Sequence, residues 1–217
     1  MTTAGAILWD LDGVIVDSMD YHYRAFREVL ADSGAELSRE EYFGELIGLR
    51  NDAILLRLLG PLPGEEVSRL KSAKEEAYRR LIAGHVEALP GALELIALAR
   101  KVGLRQAIVS STPRENIALI LSSLGIEDAF DAVVGEEGTV RGKPDPEGFL
   151  LAASRLGMAP AVCIVIEDAP EGIAAGKAAG MRCIGVTTTR AAESLSQADL
   201  VVASLDDPFV WPSIRES

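Results

Sequence analysis

The chain has 217 residues, of which 48% are hydrophobic and 25% charged, and its formal net charge is −12. This length predicts one main domain with a smaller insert, and the composition indicates a globular chain with a sizeable core rather than a disordered one. The acidic balance, 33 acidic against 21 basic side chains, disfavours nucleic acid and anionic membrane as partners. An anionic substrate would need local cations or a bound metal ion to reverse the field at its site.

The leader and membrane-span patterns sought in the sequence, together with the two cysteines, bear on the compartment in which the protein is expected. No basic-then-apolar leader opens the chain, and no uninterrupted apolar run reaches the roughly 18 residues of a membrane span. Cys163 and Cys183 each lie inside an apolar segment, where cysteine usually behaves as a small buried hydrophobe. We expect a cytoplasmic protein with two buried thiols that acts as a monomer or a weak homo-oligomer.

The chain begins with a short apolar run and then changes to helical patterns. "AGAILW" (4–9) ends at an acidic loop and is typical of a strand buried on both faces. From residue 17 to about residue 84 the patterns are helical, with Ser38, Asn51 and Gly64 as predicted starts. This section has no convincing strand and is predicted to be an all-helical insert.

After the insert, short apolar strands alternate with helices. A helix over 89–103 is predicted to open at Pro90 and to close at Gly103. Later helices are predicted to begin near Pro113, Pro146 and Ala169, and the strands cover 105–110, 130–135, 161–167, 181–187 and 199–203. This alternation predicts an α/β fold with a parallel sheet covered on both sides, in which the helical section lies between the first and second sheet elements. The strand order cannot be predicted, and the final stretch "DDPFVWPSIRES" has no assignable role beyond covering an edge or fraying.

Polar side chains cluster at the predicted strand ends, where parallel sheets bind their ligands. Taken singly, each is compatible with an ordinary loop residue, and Asp168 could simply cap the following helix. Together at one edge they predict a functional site. The residues are Asp10, Asp12, Ser110, Glu167 and Asp168, with Lys143 in the loop "VRGKPDPEG".

Two loop motifs are excluded by their spacing. Read as a calcium loop, "DLDGV" would require an oxygen ligand at its fifth position and glutamate at its twelfth, where the chain has Val14 and Tyr21. Read as a phosphate-binding P-loop, "EEGTVRGKP" has Glu137 in place of the first glycine and Pro144 in place of the hydroxyl residue.

Spaced glycines and lone histidines have plain structural interpretations. Gly172, Gly176 and Gly180 are four residues apart, which here predicts close packing of a helix on the sheet rather than a membrane dimer. His22 and His85 lack the spacing of zinc ligands. For His22, shortly after the acidic loop, a surface position on a helix and a functional role both stay open.

The acidic cluster predicts phosphoryl transfer assisted by magnesium. Carboxylates that converge on one point require a divalent cation among them, and oxygen ligation with open positions favours Mg²⁺. Asp10 is the predicted nucleophile, which would form an acyl phosphate, and Asp12 the predicted general acid and base. Lys143 and Ser110 would stabilise the charge on the transferring phosphoryl group.

Four segments resemble the motifs of the haloacid dehalogenase superfamily, and within it the β-phosphoglucomutase-like group. They are "DLDGVIVDS", "AIVSS" with Ser110, "GKPDPEGF" with Lys143, and "CIVIEDAPEGIAAGKAAGM". The resemblance covers nearly the whole chain. It implies a Rossmann-like core, which we place at residues 1–16 and 86–217, and a helical cap domain at 17–85.

The resemblance also implies a chemistry. It implies an aspartyl-phosphate intermediate and Mg²⁺ held by Asp10, the backbone carbonyl of Asp12, and Asp168, with Glu167 in support. True dehalogenases lack an acid at the position of Asp12, because a halide leaving group needs no proton. The presence of Asp12 therefore favours phosphoryl transfer to and from oxygen.

The substrate is the least constrained expectation. His22 and Lys74 resemble the hinge histidine and cap lysine of the mutases, but the mutase arginine is replaced by Asn51, while Arg50 occupies a position common in sugar-phosphate phosphatases. We therefore expect a phosphatase of a small sugar phosphate or similar metabolite. A β-phosphoglucomutase is the alternative, and a catalytically silent module that binds a phosphorylated metabolite is a third possibility. The expected substrate-binding residues are Ser18, His22, Arg50, Lys74, Ser111, Arg114 and Asn116.

Overall fold

The computed structural model describes residues 5–47 and 49–215. The chain divides into two compact units, one formed by Met1–Asp17 with Glu87–Ser217 and the other by Ser18–Val86. Each of the two breaks lies one residue from the boundary expected from the sequence. Among the described helices, none combines the length and the hydropathy needed to cross a membrane.

The first unit contains a six-stranded sheet in the order β3-β2-β1-β4-β5-β6, with every neighbouring pair parallel. This confirms the predicted α/β class with a parallel sheet. The strands are β1 (Ala6–Trp9), β2 (Arg105–Val109), β3 (Ala132–Val134), β4 (Cys163–Glu167), β5 (Arg182–Val186) and β6 (Leu200–Val202). The helices are α5 (Ala92–Lys101), α6 (Arg114–Leu124), α7 (Glu147–Leu156), α8 (Pro170–Ala178) and α9 (Val210–Arg215).

The register brings the ends of the central strands level. Trp9, the last residue of β1, pairs with Ile108 of β2 and with Ile166 of β4. The sheet order changes direction between β1 and β4, and ligands of open α/β sheets bind at such a point, beyond the carboxyl ends of the strands. The residues that directly follow β1 and end β4 are therefore placed side by side.

Both faces of the sheet are covered. On one face Leu8 and Val165 share an apolar cluster with Phe149 of α7 and Ile173 of α8. On the other, the Trp9 indole Nε1 donates to Gln106 Oε1 at 3.1 Å. The Gln106 amide in turn donates to the Ile96 carbonyl of α5 at 3.1 Å, so buried polar groups are paired on that face. Cys163 and Cys183 are free thiols and buried, as predicted.

One detail of the first unit differs from the sequence predictions, and another agrees with one of the expected alternatives. The helix α5 begins at Ala92 rather than at Pro90, because Gly91 precedes it in the left-handed conformation with φ +79. A Cβ on Gly91 would lie 2.2 Å from the Asp206 backbone nitrogen, so this close approach requires glycine. The C-terminal stretch forms the short helix α9 beside the edge strand β6, with Val210 and Ile214 buried.

The second unit contains only helices within its described residues. They are α1 (Met19–Leu30), α2 (Arg39–Glu41) followed by a π-helical turn (Tyr42–Leu46), α3 (Asn51–Leu59) and α4 (Gly64–Ile82). All three predicted starts are confirmed, and the Ser38 side chain accepts a hydrogen bond from the Glu41 backbone nitrogen at 3.0 Å. The helical pattern predicted over 38–48 ends at Gly48, which lies outside the described residues.

Candidate active site

Lys143 joins the ends of β1, β2 and β4. Its ammonium donates to Asp10 Oδ1 at 2.5 Å, to Glu167 Oε1, and to the Val109 carbonyl at 3.2 Å. Asp10 follows β1, and its backbone nitrogen donates to the Ile166 carbonyl at 3.0 Å. All three donors of the ammonium are therefore used, which fixes its position beside the Asp10 carboxylate.

Asp10, Glu167 and Asp168 form a buried acidic cluster. One carboxylate oxygen from each lies within 4.8 Å of the others, and the three residues are 7%, 1% and 3% exposed. The Asp168 and Ala169 backbone nitrogens both donate to Glu167 Oε2 at 3.0 Å, so Glu167, and not Asp168, pairs with backbone groups where α8 begins. The Thr189 hydroxyl donates to Asp168 Oδ2.

The electrostatics of the cluster indicate an excess of buried negative charge. Burial and the neighbouring carboxylates raise the pKa of Asp10 well above its ordinary value, although Lys143 opposes the shift. Burial and the charge of Glu167 raise the pKa of Asp168 to about 7. Burial disfavours the Lys143 cation, but Asp10 and Glu167 outweigh it, so the pKa of Lys143 is raised above its usual range. Oxygen ligands that carry this uncompensated charge fit a hard divalent cation.

A tight turn holds Asp12 near the same cluster. Gly13 has φ +82, and its backbone nitrogen donates to the Val16 carbonyl at 2.9 Å. A Cβ on Gly13 would lie 2.1 Å from Asp168 Oδ2, so only glycine fits between the turn and this carboxylate. The Asp12 carboxylate accepts a hydrogen bond from the Thr112 hydroxyl at 2.7 Å.

The loop after β2 and the first turn of α6 carry four of the expected residues. The Ser110 backbone nitrogen donates to the Val134 carbonyl at 3.0 Å, and Ser110 Oγ accepts from the Thr112 nitrogen at 3.1 Å. Ser111 and Arg114 are exposed, whereas Asn116 is fully buried on α6. The structure therefore places Ser110 at the sheet edge with the acidic residues, and the substrate contacts of the other three stay predictions.

A second polar cluster lies within the helical unit. Lys74 Nζ lies 2.8 Å from His22 Nδ1 and 2.9 Å from Glu75 Oε1. The His22 ring stacks on Tyr78 with centroids 4.0 Å apart and an interplanar angle of 10°. His22 is 8% exposed and Lys74 1%, so the interpretation of His22 as a surface residue is wrong. The stacking of its ring on Tyr78 and the contact with Lys74 account for this burial.

The remaining expected residues of the helical unit have different surroundings. Ser18 is fully buried and precedes α1, where its carbonyl accepts from the Tyr21 and His22 backbone nitrogens. Arg50 is exposed, and its guanidinium lies 3.5 Å from Asp52. Their roles in substrate binding stay predictions.

Sequence reasoning missed three side chains that hold the predicted ones in place. Thr112 binds Asp12, Thr189 binds Asp168, and Glu75 binds Lys74. Threonine is common in loops and glutamate on helices, so residue type and spacing carry no signal for these roles. Only the fold brings Thr189, from the loop after β5, to the start of α8.

Comparisons with known proteins identify the family of the chain. The model of the haloacid dehalogenase-like hydrolase family matches residues 7–186. A validoxylamine A 7'-phosphate phosphatase from Streptomyces hygroscopicus subsp. limoneus is 32% identical over 211 residues, covering 97% of this chain and 98% of that protein. A β-phosphoglucomutase from Bacillus subtilis (strain 168) is 33% identical over 210 residues, covering 93% and 90%. The crystal structure of CbbY from Rhodobacter sphaeroides in complex with phosphate matches with a TM-score of 0.84 at 29% identity, covering 94% and 96%.

Proposed function

Since the chain belongs to the haloacid dehalogenase-like hydrolase family, as its four motifs predicted, we propose that it is a Mg²⁺-dependent phosphatase of a small sugar phosphate or similar metabolite. One observation carries the proposal. Asp10 lies in a buried acidic cluster with Glu167 and Asp168 and is paired with Lys143 at the edge of a parallel sheet. The net charge of −12 supports a small phosphorylated molecule, rather than a nucleic acid or an anionic membrane, as the partner.

The buried carboxylates would hold the metal ion. Asp10, Asp168 and the backbone carbonyl of Asp12 are the proposed ligands, and Glu167 supports them through Lys143 and the start of α8. When bound, Mg²⁺ neutralises charge on the phosphoryl oxygens and orients the group. The raised pKa values of Asp10 and Asp168 support this assignment, because burial and the neighbouring carboxylates disfavour their charged forms, which a bound cation would stabilise.

The reaction would proceed in two steps. An Asp10 carboxylate oxygen attacks phosphorus and forms an aspartyl phosphate, while the leaving alcohol takes a proton from Asp12. Water then attacks the aspartyl phosphate and gives a proton to Asp12, which restores both residues. Lys143 and Ser110 stabilise the negative charge on the transferring group, and the helical unit Ser18–Val86 serves as the cap domain that selects the acceptor.

A β-phosphoglucomutase is the second candidate. The contact between His22 and Lys74 and the similarity to the Bacillus subtilis mutase favour it. In a mutase, a sugar hydroxyl rather than water would accept the phosphoryl group from Asp10. Against it, the Asn51 amide, at the position of the mutase arginine, donates to Glu75 and carries no charge for a second phosphate.

A panel assay with two readouts tests the proposal. The protein is incubated with Mg²⁺ and a series of sugar phosphates, and free phosphate is measured separately from conversion of β-glucose 1-phosphate to glucose 6-phosphate. We expect phosphate release that is lost in Asp10→Asn. Isomer conversion without matching phosphate release would establish the mutase instead. Ligand binding and unchanged cellular function in Asp10→Asn, without turnover by the wild type, would support a silent binding module.

A further inference from the structure

We propose that Thr112 is a positioning residue for the general acid and base, and that its hydroxyl determines which oxygen of Asp12 exchanges a proton with the substrate. The inference rests on the proposed function, because it assigns Thr112 a part in the proposed reaction. Thr112 lies outside the four motifs. Thr112 Oγ1 donates to Asp12 Oδ2 at 2.7 Å, and both residues are only 7% exposed.

The backbone around Thr112 holds this hydroxyl in place. Its backbone nitrogen donates to Ser110 Oγ at 3.1 Å, and its carbonyl accepts from the Glu136 nitrogen at 3.1 Å. Threonine is branched at Cβ, which restricts rotation about χ1. The hydroxyl is therefore presented to Asp12 from a loop that is tied on both sides.

The backbone around Asp12 is equally constrained. The Leu11 carbonyl accepts hydrogen bonds from the Ile15 and Val16 backbone nitrogens at 2.9 and 3.1 Å. Asp12 itself forms an isolated parallel bridge with Val16. With the backbone fixed in this way, the position of the carboxylate depends on rotation of the side chain, and the bond from Thr112 is one contact that restrains this rotation.

The hydrogen bond also divides the work between the two carboxylate oxygens. A threonine hydroxyl has one proton, and here that proton is donated to Oδ2. The proton that Asp12 transfers is then carried by Oδ1. In the first step, the Asp10 oxygen bonds to phosphorus, the bond from phosphorus to the alcohol oxygen breaks, and that oxygen takes the proton from Oδ1. Displacement of a catalytic group by about 1 Å costs up to roughly 100-fold in rate.

Two substrates with different leaving groups distinguish a role of Thr112 in positioning the general acid from a general structural role. An alkoxide leaving from a sugar phosphate needs a proton, whereas acetate leaving from acetyl phosphate does not. Thr112→Val keeps the branched shape and removes the donor. We expect its kcat/KM, which reports formation of the aspartyl phosphate, to fall by about 10- to 100-fold with the sugar phosphate of highest wild-type turnover and by less than about threefold with acetyl phosphate. Attack by water on the aspartyl phosphate, in which Asp12 acts as the base, is common to both substrates and does not enter this ratio.

Thr112→Ser provides the rescue and Thr189→Val the matched control. Thr112→Ser keeps the hydroxyl and should retain sugar phosphate turnover within about threefold of the wild type. Thr189→Val removes the same group from Asp168 and should slow both substrates by the same factor, because this carboxylate serves phosphoryl transfer whatever the leaving group. The ratio of the two rates in one preparation does not depend on the folded fraction, so a poorly folding variant is still informative.

The outcomes separate failure of the inference from failure of the proposed function. An equal loss of kcat/KM with both substrates in Thr112→Val, no loss with either, or loss of sugar phosphate turnover in Thr112→Ser would overturn the role of Thr112 while leaving the phosphatase intact. Absence of wild-type turnover with every sugar phosphate and with acetyl phosphate would overturn both.

Discussion

Gly172 lies in the first turn of α8, directly against the Glu167 carboxyl group. A Cβ at this position would be 1.9 Å from Glu167 Cδ, so Gly172→Ala must displace the carboxylate or the helix. Glu167 in turn holds Lys143 and the start of α8. We expect the Mg²⁺ concentration for half-maximal activity to rise by roughly tenfold or more, the usual effect of disturbing a group that supports metal ligands. A magnesium titration of the phosphatase rate measures it.

Gly176→Ala is the matched control on the same helix. A Cβ there would be 2.6 Å from Cys183 Sγ and 3.1 Å from a Val165 methyl group. These side chains belong to β5 and β4 and lie in the apolar core. This variant should unfold at a lower temperature but keep the wild-type magnesium dependence, since its clash does not involve the carboxylates. If Gly172→Ala behaves like Gly176→Ala, the proposed support of the metal site by Glu167 is wrong.

Individual residues differ in how well the sequence predicts them. Gly172, Gly176 and Gly180 were predicted to allow close helix-on-sheet packing, and the structure confirms the contacts of Gly172 and Gly176. For Gly180 the prediction is wrong: it follows the end of α8 with φ +76, and a Cβ there would meet no described atom within 4 Å. The acidic residues were predictable because carboxylates at strand ends are costly without a function. Thr112 and Thr189 were not, because a hydroxyl in a loop costs nothing, and their partners are 100 and 21 residues away in the chain.

Helix α4 carries a buried charge pair whose lysine contacts α1. Lys74 and Glu75 of α4 have side chains that are 2% and 7% exposed, and Lys74 also contacts His22 of α1. Glu75→Gln removes the carboxylate and leaves the ammonium buried with less compensation. We expect a loss on the order of 3 kcal/mol in unfolding free energy, as measured when a buried pair loses one partner. Denaturant unfolding followed by circular dichroism measures it.

Two further variants test whether the charge causes this loss. Lys74→Met combined with Glu75→Gln removes both charges and should recover most of the stability, because no buried charge is left uncompensated. Glu66→Gln breaks an ion pair with Arg69 on the exposed side of the same helix and should change the unfolding midpoint very little. A double variant that is less stable than Glu75→Gln alone would show that side-chain packing, rather than charge, sets the effect.

Element boundaries follow the sequence where a local signal decides them. Asn51 and Gly64 begin α3 and α4 as predicted, whereas α5 begins two residues after Pro90 because the backbone of Asp206 approaches Gly91. That approach joins residues far apart in the chain and has no local signature. The strand order was unpredictable for the same reason, since alternation of strands and helices is compatible with several parallel sheets.

The whole molecule is acidic, and three of its carboxyl groups lie close together in the buried site. The net charge of −12 is spread mostly over exposed side chains, where salt at about 0.15 M screens interactions beyond roughly 8 Å. The repulsion within the site is screened much less, because Asp10, Glu167 and Asp168 are buried. Dependence of stability on pH that survives added salt should therefore come largely from this cluster.

The metal-free protein should lose stability as the pH rises from about 4 to above 7. The pKa of Asp168 is raised from 3.8 to about 7 in the folded chain, so the folded state binds more protons than the unfolded state across this interval. The stabilisation is complete below the unfolded pKa and is lost as the pH rises through the folded one, and Asp10 contributes in the same direction. Mg²⁺ binds the deprotonated carboxylates and should restore the loss, so its effect grows with pH.

Thermal unfolding in EDTA and in excess Mg²⁺, at pH 5.5 and pH 8 and at constant salt, measures this coupling. We expect Mg²⁺ to raise the midpoint by several degrees at pH 8 and by clearly less at pH 5.5, since about 1 kcal/mol corresponds to roughly 2–4 °C in a protein of this size. Asp168→Asn keeps an acceptor for the Thr189 hydroxyl but removes the titrating group. It should flatten the pH dependence in EDTA and abolish most of the magnesium effect. An equal magnesium shift at both pH values, in the wild type and in Asp168→Asn, would place the ion away from the acidic cluster.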